Sequence, residues 1–148
     1  PWHLSQAVVG LLSVAYLTGT WSSPRAGALS ARHGRGPIIL LFTGVMLAGL
    51  LMTLSGWLWL IFAGMLLFTA GFFGAHSVAS SWIGIRARRA KGQASSLYLF
   101  SYYMGSSLAG TSGGWFWHDY GWHGVTAFIV ALLVIALLVG HHLHRSRA

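Results

Sequence analysis

All nine lysines and arginines of this 148-residue chain fall in three short segments, and the apolar runs between them carry none. A bilayer core rejects such charges at about 2.5–3.5 kcal/mol each on insertion scales. The basic segments therefore belong at membrane surfaces, and the apolar runs, at residues 4–20, 37–54, 58–82, 94–117 and 124–143, are long enough to cross a hydrocarbon core of about 30 Å as helices. The chain reads as an all-α integral membrane domain of five transmembrane helices. Between the first two spans lies Trp21–Gly36, whose glycine, serine and proline content predicts a loop on one side of the membrane.

Composition supports the membrane reading: 55% of residues are hydrophobic and 7% charged, against about a quarter charged in soluble domains. The formal charge of +8 does not point to nucleic acid, because the basic residues punctuate apolar runs rather than covering one solvated face. Cysteine is absent, which removes disulfides and thiolate metal sites. The opening residues from Pro1 carry neither a charged n-region nor a small-residue cleavage site, so no signal peptide is expected and further helices upstream are.

Along the chain, Gln6, Ser13, Tyr16 and Thr20 share one face of the first span, which should look at protein or water. The second span has no ionisable group and is expected to be the most lipid-exposed helix. Ser55 and Gly56 make the turn into the third span, whose second half carries Gly71, Ala75 and Ala79 at four-residue spacing, a seam that lets a neighbouring helix approach. Beside that seam, Thr69, Phe73, His76 and Ser80 form a mixed aromatic and polar stripe. The fourth span combines Tyr98, Ser101, Tyr102 and Tyr103 with a second small-residue ladder, Ser106, Gly110 and Gly114. The fifth is almost wholly aliphatic.

Counted from the N-terminus, the segments outside the spans hold no, three, no, four, no and two lysines and arginines. By the positive-inside rule this alternation places the N-terminus of the chain outside and the C-terminus in the cytoplasm. The eight tryptophans are expected in the interfacial belts, Trp21 and Trp82 at inner ends and the other six at outer ends.

The stretch GALSARHGRG resembles the loop motif of the major facilitator superfamily, Gly-x-Leu-x-Asp-Arg-x-Gly-Arg-[Arg/Lys], with Gly27, Leu29, Arg32, Gly34 and Arg35 on matching positions. In that family the motif recurs between helices eight and nine. RARRAKGQASSLYLFSYYMGSSLAG looks like the basic loop and glycine-rich eleventh helix, and GGWFWHDYGWHG like the turn into helix twelve. The resemblance implies that the five spans are helices eight to twelve of a twelve-helix transporter, a partial C-terminal bundle, most similar to bacterial inner-membrane efflux permeases of the arabinose-efflux-like drug/proton antiporter type. Two positions depart from the motif. Its Asp is Ala31 and its last basic residue is Gly36, so the charge-linked lock that the carboxylate is implied to provide is missing from this loop.

His76 is the ionisable residue placed within a span, and an intramembrane ionisable group is a candidate for function. With Ser80, Phe73, Tyr16, Tyr98 and Tyr102 it forms the candidate cavity or proton-linked set; the competing reading is plain packing, with His76 bonded to Ser80 or a carbonyl. Asp119, the one acid, falls in an outer loop, so a coupling acid is expected in the upstream helices. His141, His142 and His144, and His118 with His123, lack carboxylate or thiolate partners and make weak ligand sets, so no metal and no cofactor are expected. No nucleophile elbow, phosphate loop or paired carboxylate argues for an enzyme. The expected function is part of a secondary active transporter, exporting small organic compounds or drugs by alternating access, with membrane lipid, the missing N-terminal helices and a small-molecule substrate as partners. The alternative is a non-transporting membrane assembly or scaffold subunit.

Overall fold

The computed structural model describes residues 6, 10–87 and 89–145. Trp2, Leu4, Arg88 and Arg147, and the side chains of His144 and Arg145, on which parts of the sequence reading fall, lie outside the described residues. The chain is an all-helical membrane bundle. A 3-10 segment, Leu11–Tyr16, leads into α1 (Leu17–His33), followed by α2 (Arg35–Met52), α3 (Leu58–Arg86) and the helical stretch Lys91–Arg145. That last stretch is broken at Gly121, where φ 61° and ψ −151° leave the helical region. Across this break the Phe116 and Phe128 rings stack with centroids 4.8 Å apart; twelve residues of straight helix would separate them by about 18 Å. The chain therefore doubles back at Gly121, and residues 91–120 form α4 and residues 122–145 form α5.

The expected loop at Trp21–Gly36 is a helix as far as His33. What interrupts the chain is Gly34, which at φ 87° takes a backbone conformation that L side chains rarely adopt. The small residues that suggested a loop instead form a packing face. Gly19, Ser22, Ala26 and Ser30, at helical spacing, are the buried residues of α1, and small side chains are what let membrane helices approach. Pro24 lies inside the helix, as is tolerated where neighbouring helices hold the backbone. From Gly10 to His33 the helical stretch measures about 37 Å, counting about 2.0 Å per residue in the 3-10 turns and about 1.5 Å thereafter. Trp21 consequently sits within the helix, sharing a groove with Leu66, Leu67 and Ala70 of α3.

The α2 helix is not the most exposed of the set. It packs against α1, α3 and the 91–145 stretch, with Ile38, Thr43, Gly49 and Leu50 buried. An uninterrupted apolar sequence suits a protein interior as well as lipid, so lack of charge did not distinguish them. Near its C-terminal end α2 meets α3 backbone to backbone: a Cβ on Gly49 would lie 2.5 Å from Phe68 N and 2.7 Å from Gly64 O. Further in, Gly71 abuts Met46 and the Phe42 carbonyl, Gly74 receives the Phe42 ring, and Ala26, Ile38 and Val78 close the core of α1, α2 and α3. The approach thus follows Gly64, Gly71 and Gly74. Of the predicted seam Gly71, Ala75 and Ala79, only Gly71 is buried.

The end of the bundle at Thr53 is closed by α5. Trp122 Nε1 donates to Thr53 Oγ1 at 3.2 Å, the Thr53 hydroxyl donates to the Leu50 carbonyl at 2.6 Å, and Leu40 reaches Gly140 at the other end, so α5 runs antiparallel to α2. By contrast, the predicted ladder of α4 is open: Ser106, Gly110 and Gly114 are exposed, and a Cβ at Gly110 or Gly114 would meet nothing within 4 Å.

Candidate functional site

The stripe on α3 places Thr69, Phe72, Phe73 and His76 within two turns, and α4 runs alongside in the opposite direction, bringing Tyr98 to His76 and Tyr102 to Phe72. The Tyr98 hydroxyl lies 2.9 Å from His76 Nδ1 and donates toward the His76 carbonyl at 3.4 Å. Two tautomers satisfy the shorter contact. With the proton on Nδ1 the imidazole donates to the phenol oxygen, the phenol is free to donate to the carbonyl, and Nε2 presents a lone pair; with the proton on Nε2 the phenol donates to Nδ1 instead.

Aromatic rings fix the imidazole on its other sides. Phe72 stacks on it at 5.6 Å and 19°, and Tyr102 tilts against it at 4.8 Å and 51°. The rings continue from Phe72 to Phe73, edge to face at 5.3 Å, and from Phe73 to Tyr16 at 5.9 Å and 74°. A continuous aromatic path therefore joins the 3-10 segment, α3 and α4. Beside it a cavity of about 340 Å³ is lined by Ser13, Tyr16, Met65, Thr69, Phe72 and Phe73, at the lower end of the size range of small-molecule sites.

Of the residues singled out in the sequence, Tyr16, Phe73, His76, Tyr98 and Tyr102 are brought together, and Ser80 is not: it is exposed, and His76 is hydrogen-bonded to Tyr98 rather than to Ser80. Phe72 was missed, although its position one turn before His76 marks it as a neighbour on the same face. Gly19 was missed for a different reason. Its α-carbon receives the face of Phe73, with a Cβ there only 2.6 Å from Phe73 Cδ2, and the Ser23 hydroxyl donates to the Phe73 carbonyl at 3.4 Å. Only the packing of α1 on α3 reveals that pairing. Nothing in the ring path or the cavity lining carries a carboxylate. The one acid, Asp119, is 2.8 Å from His118 Nδ1, exposed beside the break at Gly121.

The motif residues occupy the end of α1 and the turn beyond it. Gly27, Leu29 and Arg32 lie on the last turns of the helix, Gly34 breaks it, and Arg35 begins α2. No three histidines or acids converge as metal ligands among the described residues.

Residues 1–147 match the Major Facilitator Superfamily. The chain belongs to that superfamily. It is 78% identical over 145 residues to the "Inner membrane transport protein YnfM" of Escherichia coli (strain K12), a match covering 98% of this chain and 35% of that protein. It is 48% identical over 139 residues to an "Uncharacterized transporter" of Buchnera aphidicola subsp. Schizaphis graminum (strain Sg), covering 94% of this chain and 34% of the other, and 43% identical over 146 residues to the "Uncharacterized MFS-type transporter YybF" of Bacillus subtilis (strain 168), covering 99% and 36%. The chain thus spans about a third of the length of these relatives, which are named as transporters rather than enzymes. No solved structure matches it. Membership of the superfamily agrees with the helical bundle and with the resemblance carried by Gly27, Leu29, Arg32, Gly34 and Arg35.

Proposed function

We propose that this chain forms helices eight to twelve of a twelve-helix secondary transporter that exports small organic compounds across a bacterial inner membrane by alternating access. The observation that carries the reading is the aromatic path centred on His76: a histidine held 2.9 Å from Tyr98 beside a cavity of about 340 Å³ with no carboxylate in its lining. Such a wall suits apolar or aromatic compounds, which gain from ring contacts and do not require a fixed charge. His76 is the group on this wall able to change charge, and its two partners on α4 would separate from it when α3 and α4 move between access states. The orientation has the start of the chain outside and its end in the cytoplasm. The upstream helices supply the rest of the cavity and the coupling acid.

Efflux of a panel of aromatic compounds by cells expressing the full-length transporter tests this. His76→Ala is expected to reduce export of at least one compound by ten-fold or more at unchanged expression, and Tyr98→Phe to alter its pH dependence; export and pH dependence unchanged in both variants would remove the proposed role.

A further inference from the structure

The face of α1 that turns away from its buried small residues has two chemically different halves. Val14, Leu17 and Trp21 form one wall of a groove of about 550 Å³ whose other wall is Leu66, Leu67 and Ala70 of α3. Next along the same face, a second cavity of about 300 Å³ is lined by Arg25, Ala28, Leu29 and Arg32. Positions 14, 17, 21, 25, 28 and 32 advance by three or four residues, so the two hollows form one stripe along the helix. Arg25 joins them. Its guanidinium lies 4.1 Å from the centre of the Trp21 ring, and its Nη1 donates to the Trp21 carbonyl at 3.2 Å, which fixes the boundary between the apolar and the cationic half.

Neither arginine has a carboxylate partner among the described residues, because the chain's single acid, Asp119, is bonded to His118 at the opposite end of the bundle. A ligand that fits must be anionic at the Arg25–Arg32 end and apolar for the length of the groove. From Val14 to Arg25 the helix rises about 17 Å, close to the ~15 Å of hydrocarbon that one leaflet contributes. We propose that this face of α1 binds an anionic phospholipid, with its phosphate between Arg25 and Arg32 and an acyl chain in the groove between Trp21 and Leu66. This site lies on the face of α1 away from the His76 cluster and is independent of the transport reading.

Native mass spectrometry of the full-length transporter in detergent, titrated with phosphatidylglycerol, with phosphatidylcholine of the same acyl chains or with inorganic phosphate, tests the proposal. One phosphatidylglycerol is expected to bind in preference to phosphatidylcholine, with inorganic phosphate failing to displace it. The double variant Arg25→Gln/Arg32→Gln should weaken that binding about thirty-fold, the fold-change to which about 1 kcal/mol for each of two basic residues near a membrane surface converts. Arg25→Lys/Arg32→Lys should retain most of it. Ala63, on the α3 wall of the same groove, gives a second variant: Ala63→Trp fills the apolar half, leaves both arginines in place and should weaken binding as well. Equal binding of the two lipids, displacement by phosphate alone, or wild-type binding in the Gln double variant would overturn the proposal, as would an efficient cross-link from position 32 to an acidic residue of an upstream helix, which would make the occupant protein.

Discussion

The contact between Gly49 and Gly64 can be perturbed by single methyl groups with a calculable result. A Cβ on Gly49 would stand 2.5 Å from Phe68 N and 2.7 Å from Gly64 O, and one on Gly64 would stand 2.5 Å from Gly49 O. These neighbours are backbone atoms and cannot rotate away. Reaching an ordinary separation of about 3.4 Å would require α2 and α3 to part by about 0.9 Å, and gaps of that size forfeit a quarter to a half of the dispersion attraction along a seam. The Gly49→Ala variant should therefore lose about 1–3 kcal/mol, the range of overpacked sites, despite alanine's better helix propensity. Gly110→Ala is the internal control. Nothing lies within 4 Å of the added methyl in these helices, so the same substitution should be neutral or gain up to about 1 kcal/mol. Reversible unfolding of the full-length transporter in mixed detergent micelles measures both. Equal effects of the two substitutions, or a stabilising Gly49→Ala, would refute the close approach.

Other outcomes follow from individual contacts. Trp122→Phe removes the indole donor to Thr53 Oγ1 and should cost about 0.5–1.5 kcal/mol, read in the same unfolding assay. At Gly121 the backbone at φ 61° and ψ −151° lies in a region essentially reserved for glycine, so Gly121→Ala should cost on the order of 1–3 kcal/mol. Gly19→Ala should displace the Phe73 ring, which lies 2.6 Å from the new Cβ, and lower efflux of the largest compounds more than of the smallest. The chain has no native cysteine, so in the full-length transporter with its other cysteines replaced, single cysteines at Ser55 and Ala90 report orientation: an impermeant thiol reagent added to intact cells should label Ser55→Cys and leave Ala90→Cys unlabelled.

The membrane bundle was legible in the sequence because charge exclusion from hydrocarbon is severe and acts residue by residue, and α2 and α3 begin and end close to where apolar runs do. The turn at Gly121 was legible for a related reason, since HDYGWH interrupts the apolar pattern. Composition failed at Trp21–His33, where glycine, serine and alanine have two physical meanings. In water they loosen a helix; between membrane helices they let it pack, and the spacing of Gly19, Ser22, Ala26 and Ser30 held that information. In the site, helical periodicity put Phe73 and His76 on one stripe, but the partner of His76 could not be read from α3 alone. Ser80, one turn away in sequence, was the local choice, whereas Tyr98 reaches the imidazole only because α3 and α4 are antiparallel and in register. Gly19 under Phe73 is of the same kind, a contact between two helices that one helix's pattern does not contain.

In the proposed transport cycle the His76 cluster lines a path that opens to each side of the membrane in turn. A single cysteine at Tyr102, whose ring is 4.8 Å from His76, placed in the full-length transporter with every cysteine outside this chain replaced, tests this by labelling with impermeant thiol reagents applied to right-side-out and to inside-out vesicles. The expected result is labelling from both sides, slowed several-fold by an exported aromatic compound. Labelling from neither side, or labelling that no exported compound slows, would contradict it.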